Sequence, residues 1–372
     1  MLAITGAAGH LGRVLLGRLL SPSPLRSPYE RATRIRTFDL AALPSRVVLD
    51  EPPRLAASGS RRTQTRSVRP PSQAISLDTS TIDHRRLDLA EVSPASFEGC
   101  TALVHLAFAL MGNTPNHQRD PDGGAARAAA TSTRVLRAAV ESGVKNIVLL
   151  SSAAVYGPWP DTPVPIPHDH PVAPRFPYAQ AKHVTEQNLM AIVREHRDVR
   201  AIILRPPVIL GRHAHPLLRR MAQTRLWIGD RGAPSRIHLI WETDAADAIL
   251  AALTTLGAPR VDSISRTTAR INAFAIGAAE VWDRAQLAAA ARAATGDWSA
   301  KRITLRIPSR WANRAHSILS QRWPGGARYW GDPGWTEALD GELVLDIQSV
   351  CAALQWQPAW TVADMLDVLR SS

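Results

Sequence analysis

A glycine-rich turn near the start of the chain constrains the fold more than any other feature. Residues 5–12 read T-G-A-A-G-H-L-G and stand between an apolar segment, residues 2–5, and a run with apolar residues at helical spacing. Gly6 allows a tight turn, Gly9 lets the main chain approach a pyrophosphate, and Gly12 lets the following helix pack on the strand. The helix N-terminus offers free N–H groups to the phosphates. The pattern therefore predicts a strand, a dinucleotide-binding turn and a helix, in that order.

An acidic residue, Asp39, closes the second predicted strand. A carboxylate at this place accepts hydrogen bonds from the ribose hydroxyls of NAD and repels the 2′-phosphate of NADP. NAD is therefore the favoured dinucleotide, although the neighbouring Arg34 and Arg36 leave NADP as the less favoured alternative. Asp88, which closes the third predicted strand, is a second candidate on the adenine side.

Strand and helix patterns alternate along the N-terminal half of the chain. Buried-strand patterns at 102–107, 146–151 and 200–204 are separated by helical patterns at 125–142 and 178–196. Such alternation is typical of a parallel, doubly wound sheet. We therefore expect a Rossmann-type α/β domain, with a smaller C-terminal α/β domain that holds the substrate.

The length of the chain, 372 residues, exceeds what one hydrophobic core usually serves. We expect residues 1–204 to form the NAD(P)-binding domain and residues 205–372 mainly the substrate domain, with some segments returning to the Rossmann core. The C-terminal part shows one strand pattern and two helix patterns, at 237–240, 244–256 and 285–294. Residues 41–82 are rich in Arg, Ser and Pro and have weak periodicity. We interpret them as a partly disordered surface insertion with room for one helix.

The net charge of +12, from 44 basic and 32 acidic residues, raises the question of nucleic-acid binding. Half of the excess lies in residues 26–86, which hold twelve arginines and six acids, and only three basic residues in the chain are lysines. No basic helix with interleaved aromatic residues and no Cys/His finger spacing occurs. No nucleic-acid partner is therefore expected.

Membrane insertion and metal binding are not indicated either. No segment approaches the roughly 18 consecutive apolar residues of a membrane helix, and the N-terminal segment lacks the basic start of a signal peptide. The two cysteines allow one disulfide at most, so we expect a reduced, cytoplasmic protein. The paired histidines at 168–170 and 213–215 lie in loops without the H-x-x-x-H spacing of a helix-borne metal site.

A tyrosine and a lysine at a spacing of four open the predicted helix at 178–196. This spacing places Tyr178 and Lys182 on one helix face. An ammonium group beside a phenol favours the phenolate, so Lys182 is expected to lower the pKa of Tyr178, which can then exchange a proton with a substrate oxygen. Ser152 follows the central strand at the sheet edge where ligands bind, and we expect it to hydrogen-bond the same oxygen. Its neighbour Ser151 is expected to cap or pack.

Together these patterns resemble the extended short-chain dehydrogenase/reductase superfamily, in its NAD-dependent epimerase/dehydratase branch. The resemblance spans nearly the whole chain apart from residues 41–82. It rests on the glycine turn, on V-H-L-A at 104–107, S-S-A-A-V-Y-G at 151–157, Tyr178 with Lys182, R-P-P-V at 205–208, T-D-A-A at 243–246 and L-Q-W-Q-P at 354–358. It implies that Ser152, Tyr178 and Lys182 form the catalytic triad. The positions assigned to the dinucleotide are then Gly6, Gly9, His10, Leu11, Gly12, Asp39, Asp88, Leu89, Leu106, Ala107, Tyr178, Lys182, Pro206 and Val208.

The resemblance implies an oxidoreductase or isomerase that acts on a nucleotide sugar or a related hydroxyl or keto compound, with homodimerisation as a family expectation. Two alternatives stay open: an NAD(P)-dependent reductase or dehydrogenase of a non-nucleotide ketone or alcohol, and a catalytically quiet NAD(H)-binding sensor or interaction protein. The sequence departs from the family pattern at three places. The family's N-x-x-G-T is A-A-A-T-S at 128–132, its histidine before the D-D-V-A aspartate is Trp241, and the glycine of L-G-W is Gln355.

Overall fold

The structure of the chain is a computed structural model, and it describes residues 1–21, 34–52, 72–77, 81–108, 121–157, 159, 161–212, 226–229, 236–258, 270–283, 286, 303–306 and 342–370. The predicted helix at 285–294 and the histidine pair at 213–215 fall almost wholly outside these ranges, so both stay predictions. Among the described residues, no helix is both long and apolar enough to cross a membrane. Within the same ranges, no group of three or more His, Cys, Asp or Glu residues is placed to hold a metal ion.

The described strands are β1 (Leu2–Thr5), β2 (Ile35–Asp39), β3 (Arg46–Leu49), β4 (Gln73–Ser76), β5 (Ile82–Arg86), β6 (Ala102–His105), β7 (Asn146–Leu150), β8 (Arg200–Arg205), β9 (Val208–Leu210), β10 (Leu226–Gly229), β11 (Leu239–Trp241), β12 (Ile271–Ala275) and β13 (Ile303–Arg306). The helices are α1 (His10–Leu20), α2 (Pro121–Glu141), α3 (Pro177–Glu195), α4 (Glu242–Gly257), α5 (Gln348–Leu354) and α6 (Val362–Arg370). Three 3₁₀ turns cover Leu89–Glu91, Pro94–Phe97 and Ala153–Val155.

Seven of these strands form one parallel sheet in the order β12-β8-β7-β6-β1-β2-β5. From β1 the chain first builds outward through β2 to β5, and then crosses back to build β6, β7, β8 and β12 on the other side. The direction of building thus changes between β1 and β6, and ligands of such sheets bind at the carboxyl ends of the strands beside this switch point. The Rossmann-type α/β fold that the sequence predicted is confirmed.

The sheet is buried on both faces, which explains why its central strands are apolar without alternation. In β1, Leu2 and Ile4 join a cluster with Val14 and Leu15 of α1 and with α4. Ala3 points to the opposite face and joins a cluster built largely from α2 and α3. Full burial of each large aliphatic side chain contributes about 1.5–3 kcal/mol to folding. The two layers of helices therefore hold the carboxyl edge of the sheet in a fixed position.

The segment interpreted as an insertion, residues 41–82, contains two strands that the sequence analysis missed. β3 and β4 pair as an antiparallel hairpin whose Val47 and Leu49 are buried against the core around α1. A side chain at Gly17 of α1 would lie 3.2 Å from Leu49, so the helix and the hairpin are in close contact. Arg18 of α1 also pairs with Glu51, next to the hairpin. The disordered interpretation is therefore wrong for these strands, and its proposed helix is not found in the described part; residues 53–71 and 78–80 lie outside it.

Segments from the C-terminal part of the chain pack on the core of the sheet. β12 pairs with β8 at one edge of the sheet, and α4 packs on α1. Asp244, in the first turn of α4, accepts hydrogen bonds from the backbone N–H groups of Ala359 and Trp360 at 3.0 and 3.1 Å. The T-D-A-A and L-Q-W-Q-P motifs are thereby brought together. Gln355, which replaces the family glycine, ends α5 with a φ of 50°, a left-handed conformation that favours glycine.

Candidate active site

The glycine turn has the close contacts that its sequence predicts. Gly6 has a φ of 74°, and a Cβ atom there would lie 2.8 Å from the backbone nitrogen of Ala107. A Cβ atom on Gly12 would lie 2.1 Å from the carbonyl oxygen of Gly6. Helix α1 begins at His10, with Gly9 as N-cap, and its first turn carries neither a side-chain cap nor an acidic residue. This cradle leaves the first N–H groups of α1 to a ligand, and it fits the pyrophosphate of a dinucleotide.

A buried hydrogen-bonded chain supports the wall of this cradle. The Thr5 hydroxyl lies 2.7 Å from Nδ1 of His105 and 3.4 Å from the backbone nitrogen of Ala107, which donates to it. Burial, together with the charge of Lys182, lowers the pKa of His105 to about 3, so the ring is neutral near pH 7. These hydrogen bonds hold Leu106 and Ala107 directly opposite Gly6, where the two residues can line the path of the dinucleotide.

Asp39 lies at the end of β2 beside the glycine turn, where its carboxylate accepts a hydrogen bond from the backbone N–H of Ala8 at 3.0 Å. From the sequence, Arg36 was a possible partner for the 2′-phosphate of NADP. In the structure it instead binds Asp83 at 2.7 Å and donates to two backbone carbonyl groups. Asp88 lies two residues beyond β5 rather than closing it, and it caps the 3₁₀ turn that starts at Leu89. These contacts support a preference for NAD.

Replacing Asp39 by Ser is expected to weaken this preference. Removal of the carboxylate abolishes the repulsion of a 2′-phosphate and one ribose contact, so the ratio of the NADP to the NAD dissociation constant should fall about tenfold. Titration of both dinucleotides into the variant measures the ratio. Asp198→Asn, which removes an exposed carboxylate that pairs with Lys145 at the opposite edge of the sheet, is the matched control and should leave the ratio unchanged. An unchanged ratio in Asp39→Ser would remove Asp39 from the ribose site.

Tyr178 and Ser152 meet at the carboxyl end of β7. Tyr178 lies in the first turn of α3, which begins at Pro177. The Ser152 side chain is hydrogen-bonded to the Tyr178 hydroxyl, and it also accepts the backbone N–H of Ala154 at 3.2 Å. Phe108 contacts the Tyr178 ring edge-on, with 5.6 Å between ring centroids. The phenol is thus fixed in direction beside a second hydroxyl group.

Lys182 lies one turn further along α3 and is almost fully buried. Its Nζ donates a hydrogen bond to the carbonyl oxygen of Leu150 at 2.9 Å and lies 4.0 Å from the centroid of the Phe108 ring. The structure therefore brings together the three residues that the sequence singled out, at the carboxyl end of β7, which is separated from β1 by β6.

The electrostatics of the pair differ from the sequence expectation. Burial raises the pKa of Tyr178 above its ordinary value, and the hydrogen bond from Ser152 opposes this only in part. Burial also lowers the pKa of Lys182 to about 7, because the low-dielectric interior disfavours the ammonium form, although the charge of Glu186 opposes the shift. The expected lowering of the Tyr178 pKa by Lys182 is therefore not seen: Nζ lies 6.0 Å from the centre of the Tyr178 ring.

A buried ion pair that was not predicted from the sequence lies beneath the triad. Arg205, at the end of β8, binds Glu186 of α3 through two hydrogen bonds of 2.9 and 2.7 Å and donates a third to the Tyr156 hydroxyl at 3.0 Å. Burial disfavours the charge of Arg205, but Glu186 more than offsets this and raises the pKa of the guanidinium. Glu186 follows Lys182 by four residues, and this spacing on the same helix face was the available signal.

The segment after β8 also reaches the site. The carbonyl oxygen of Pro206 accepts the backbone N–H of Ala153 at 2.8 Å, directly after Ser152, and Val208 begins β9. The two arginines considered for a substrate diphosphate are engaged elsewhere. Arg212 binds Asp50 at 2.9 Å, and Arg236 binds Glu342 at 3.0 Å.

The family's N-x-x-G-T asparagine corresponds to Ala128 of α2, which is buried, and its neighbour Ala129 makes small apolar contacts. Ala129 of α2 is buried in a cluster with Ala125 and with Ala181 of α3, next to Phe108. One helix turn further on, Asn188 of α3 donates to the Thr133 hydroxyl at 2.8 Å. The two helices therefore remain in close contact beside the triad without the family's asparagine.

A family model and several solved structures match this chain. The model of the NAD dependent epimerase/dehydratase family matches residues 2–264. The chain belongs to this family. Membership confirms the resemblance and the expectation of an NAD-dependent enzyme of the extended short-chain dehydrogenase/reductase type. In a comparison with curated proteins, no sequence matches.

Solved structures share the fold of this epimerase/dehydratase chain over nearly its full length. The UDP-Glc/GlcNAc 4-epimerase from Campylobacter jejuni is 16% identical, with a TM-score of 0.65 and coverage of 100% of this chain and 98% of that one. DesIV, a dTDP-glucose 4,6-dehydratase from Streptomyces venezuelae with NAD and TYD bound, is 18% identical, with a TM-score of 0.65 and coverage of 100% and 95%. MoeE5 in complex with UDP-glucuronic acid and NAD is 16% identical, with a TM-score of 0.63 and coverage of 98% and 96%. At these identities the similarity establishes the fold.

Proposed function

We propose that this chain binds NAD along the glycine turn and catalyses the reversible oxidation of a hydroxyl group on a nucleotide sugar or a related compound, as an epimerase or a dehydratase. One observation carries the proposal. The Tyr178 hydroxyl is hydrogen-bonded to Ser152 and lies one helical turn from the buried Lys182, at the carboxyl edge of the sheet. Phe108, which contacts the Tyr178 ring, follows Ala107, the residue that faces Gly6 of the glycine turn. The solved structures with nucleotide-sugar names support the substrate class.

Each residue of the triad has a separate task in this proposal. Tyr178 exchanges a proton with the substrate oxygen. Because burial raises its pKa, the phenol holds its proton near pH 7 and donates it to a carbonyl oxygen, and the phenolate that accepts the proton of a hydroxyl group forms at higher pH. Ser152 hydrogen-bonds the same oxygen and stabilises its partial charge. Lys182 carries three donors when it is charged, and only one of them is needed for Leu150, so the ammonium group can also hold a ribose hydroxyl. When bound in the glycine turn, the dinucleotide supplies the hydride acceptor.

A second candidate is an NAD(P)-dependent reductase or dehydrogenase of a less polar ketone or alcohol. Arg212 and Arg236 are both paired with carboxylates, so neither supports a diphosphate contact in this structure. The phenol of Tyr178 lies between two aromatic rings, those of Phe108 and Phe176. An apolar surrounding of this kind also suits a substrate without a nucleotide.

The test is the identity of the cofactor released from freshly purified, denatured protein, measured by absorbance and mass. Tightly retained NAD is the expected result, since an epimerase or dehydratase recycles its hydride, and a screen of nucleotide sugars follows. An empty protein that binds added NAD(P)H reversibly favours the second candidate. A protein that binds neither dinucleotide overturns both.

A further inference from the structure

A contact between residues far apart in the chain fixes the start of the dinucleotide-binding helix. His10 is the first residue of α1, and its Nε2 lies 2.7 Å from a carboxylate oxygen of Glu242, the first residue of α4. The Glu242 side chain is 0% exposed, whereas that of His10 is 20% exposed. The His10 side chain is therefore directed towards Glu242, and its backbone N–H remains at the open end of α1.

Glu242 is held from a second side by the chain after β9. A Cβ atom on Gly211 would lie only 2.1 Å from the carboxyl carbon of Glu242, so the backbone here packs directly on that carboxyl group. The next residue, Arg212, pairs with Asp50, and the charge of Glu242 contributes to raising the pKa of its guanidinium. The carboxyl group of Glu242 thus has little room to move.

A fully buried carboxylate is costly unless it is hydrogen-bonded and compensated. The N-terminus of α4 compensates part of the charge through its dipole, and the His10 imidazole provides a short hydrogen bond. Because Glu242 cannot shift without loss of these interactions, it restrains the imidazole and, through it, the first turn of α1. When a binding turn is already fixed in its bound geometry, less conformational entropy is lost when the ligand binds.

We propose that Glu242 is a positioning residue for the dinucleotide, which acts through His10 to hold the first turn of α1 in the geometry that receives the pyrophosphate. This inference rests on the proposed binding of NAD in the glycine turn. It adds a residue that no sequence motif indicated, since the partners are 232 positions apart.

The test is calorimetric titration of NAD into the full chain and into Glu242→Gln, His10→Asn and the double variant. Each single change should raise the dissociation constant of NAD about tenfold, and the double variant should bind no more weakly than the weaker single variant, because both changes break the same contact. Glu195→Gln is the matched control: Glu195 also faces a basic residue, Arg137, but both side chains are 53% exposed and the pair lies at the far end of α3. Its dissociation constant should equal that of the unchanged chain.

The outcomes separate this inference from the proposed function. If the unchanged chain does not bind NAD, the proposed function fails. If it binds and both single variants bind equally well, the role of Glu242 is refuted. A lower unfolding temperature with an unchanged dissociation constant shows a purely structural contact and also refutes the inference. If Glu242→Gln does not fold, Glu242→Asp decides, because it keeps the negative charge but shortens the side chain and so moves the carboxylate away from His10; an unchanged dissociation constant in Glu242→Asp refutes the inference.

Discussion

Replacing Tyr178 by Phe is expected to lower turnover by about 10²–10⁴-fold while the affinity for NAD stays within about twofold. The change removes the only atom that exchanges a proton with the substrate in the proposed mechanism, and it keeps the ring that packs against Phe108 and Phe176. Turnover is measured by chromatographic quantification of the product, because the dinucleotide is reoxidised in each cycle, with whichever compound from the nucleotide-sugar screen is turned over by the unchanged chain.

Ser152→Ala is the companion variant for this prediction. It keeps the phenol but removes its hydrogen-bond partner, so turnover should fall less than in Tyr178→Phe. It also removes one interaction that opposes the raised pKa of Tyr178, so the pH at which turnover rises should move upward. Retention of most of the activity in Tyr178→Phe would show that another group transfers the proton.

Replacing Glu186 by Gln is expected to destabilise the fold by about 3–5 kcal/mol. Arg205 is buried beneath α3 and is paired by Glu186 through both of its carboxylate oxygens. A neutral amide in this place leaves a guanidinium charge in the interior with one of its hydrogen bonds lost. The free energy of unfolding is measured by urea titration at constant pH.

Two variants distinguish a charge effect from a packing effect at this site. The double change Glu186→Met with Arg205→Met removes both charges and should recover most of the loss, because apolar residues of similar volume replace buried ion pairs at little cost. Glu195→Gln, on the exposed end of the same helix, should change stability by less than about 1 kcal/mol. Equal losses in Glu186→Gln and in the double variant would show that the loss does not come from the unpaired charge of Arg205.

Much of the fold and of the candidate site could be predicted because the relevant signals are local. The spacing of Gly6, Gly9 and Gly12 reflects backbone contacts within one turn, and the spacing of Tyr178 and Lys182 is set by the pitch of one helix. Apolar strands that alternate with helices indicate a parallel sheet, since both faces of such a sheet are buried. The hairpin of β3 and β4 escaped prediction because its strands are short and are separated by a long Arg- and Ser-rich segment.

The sequence by itself determined the glycine turn, the acidic end of β2 and the tyrosine–lysine pair on α3, because each depends on neighbours within a few residues. Only the tertiary structure decided which distant groups meet: His10 with Glu242, Glu186 with Arg205, and Arg212 with Asp50. It also decided the protonation of the site, since burial raises the pKa of Tyr178 and lowers that of Lys182. Burial depends on the packing of the whole chain around a group, and no short stretch of sequence specifies it.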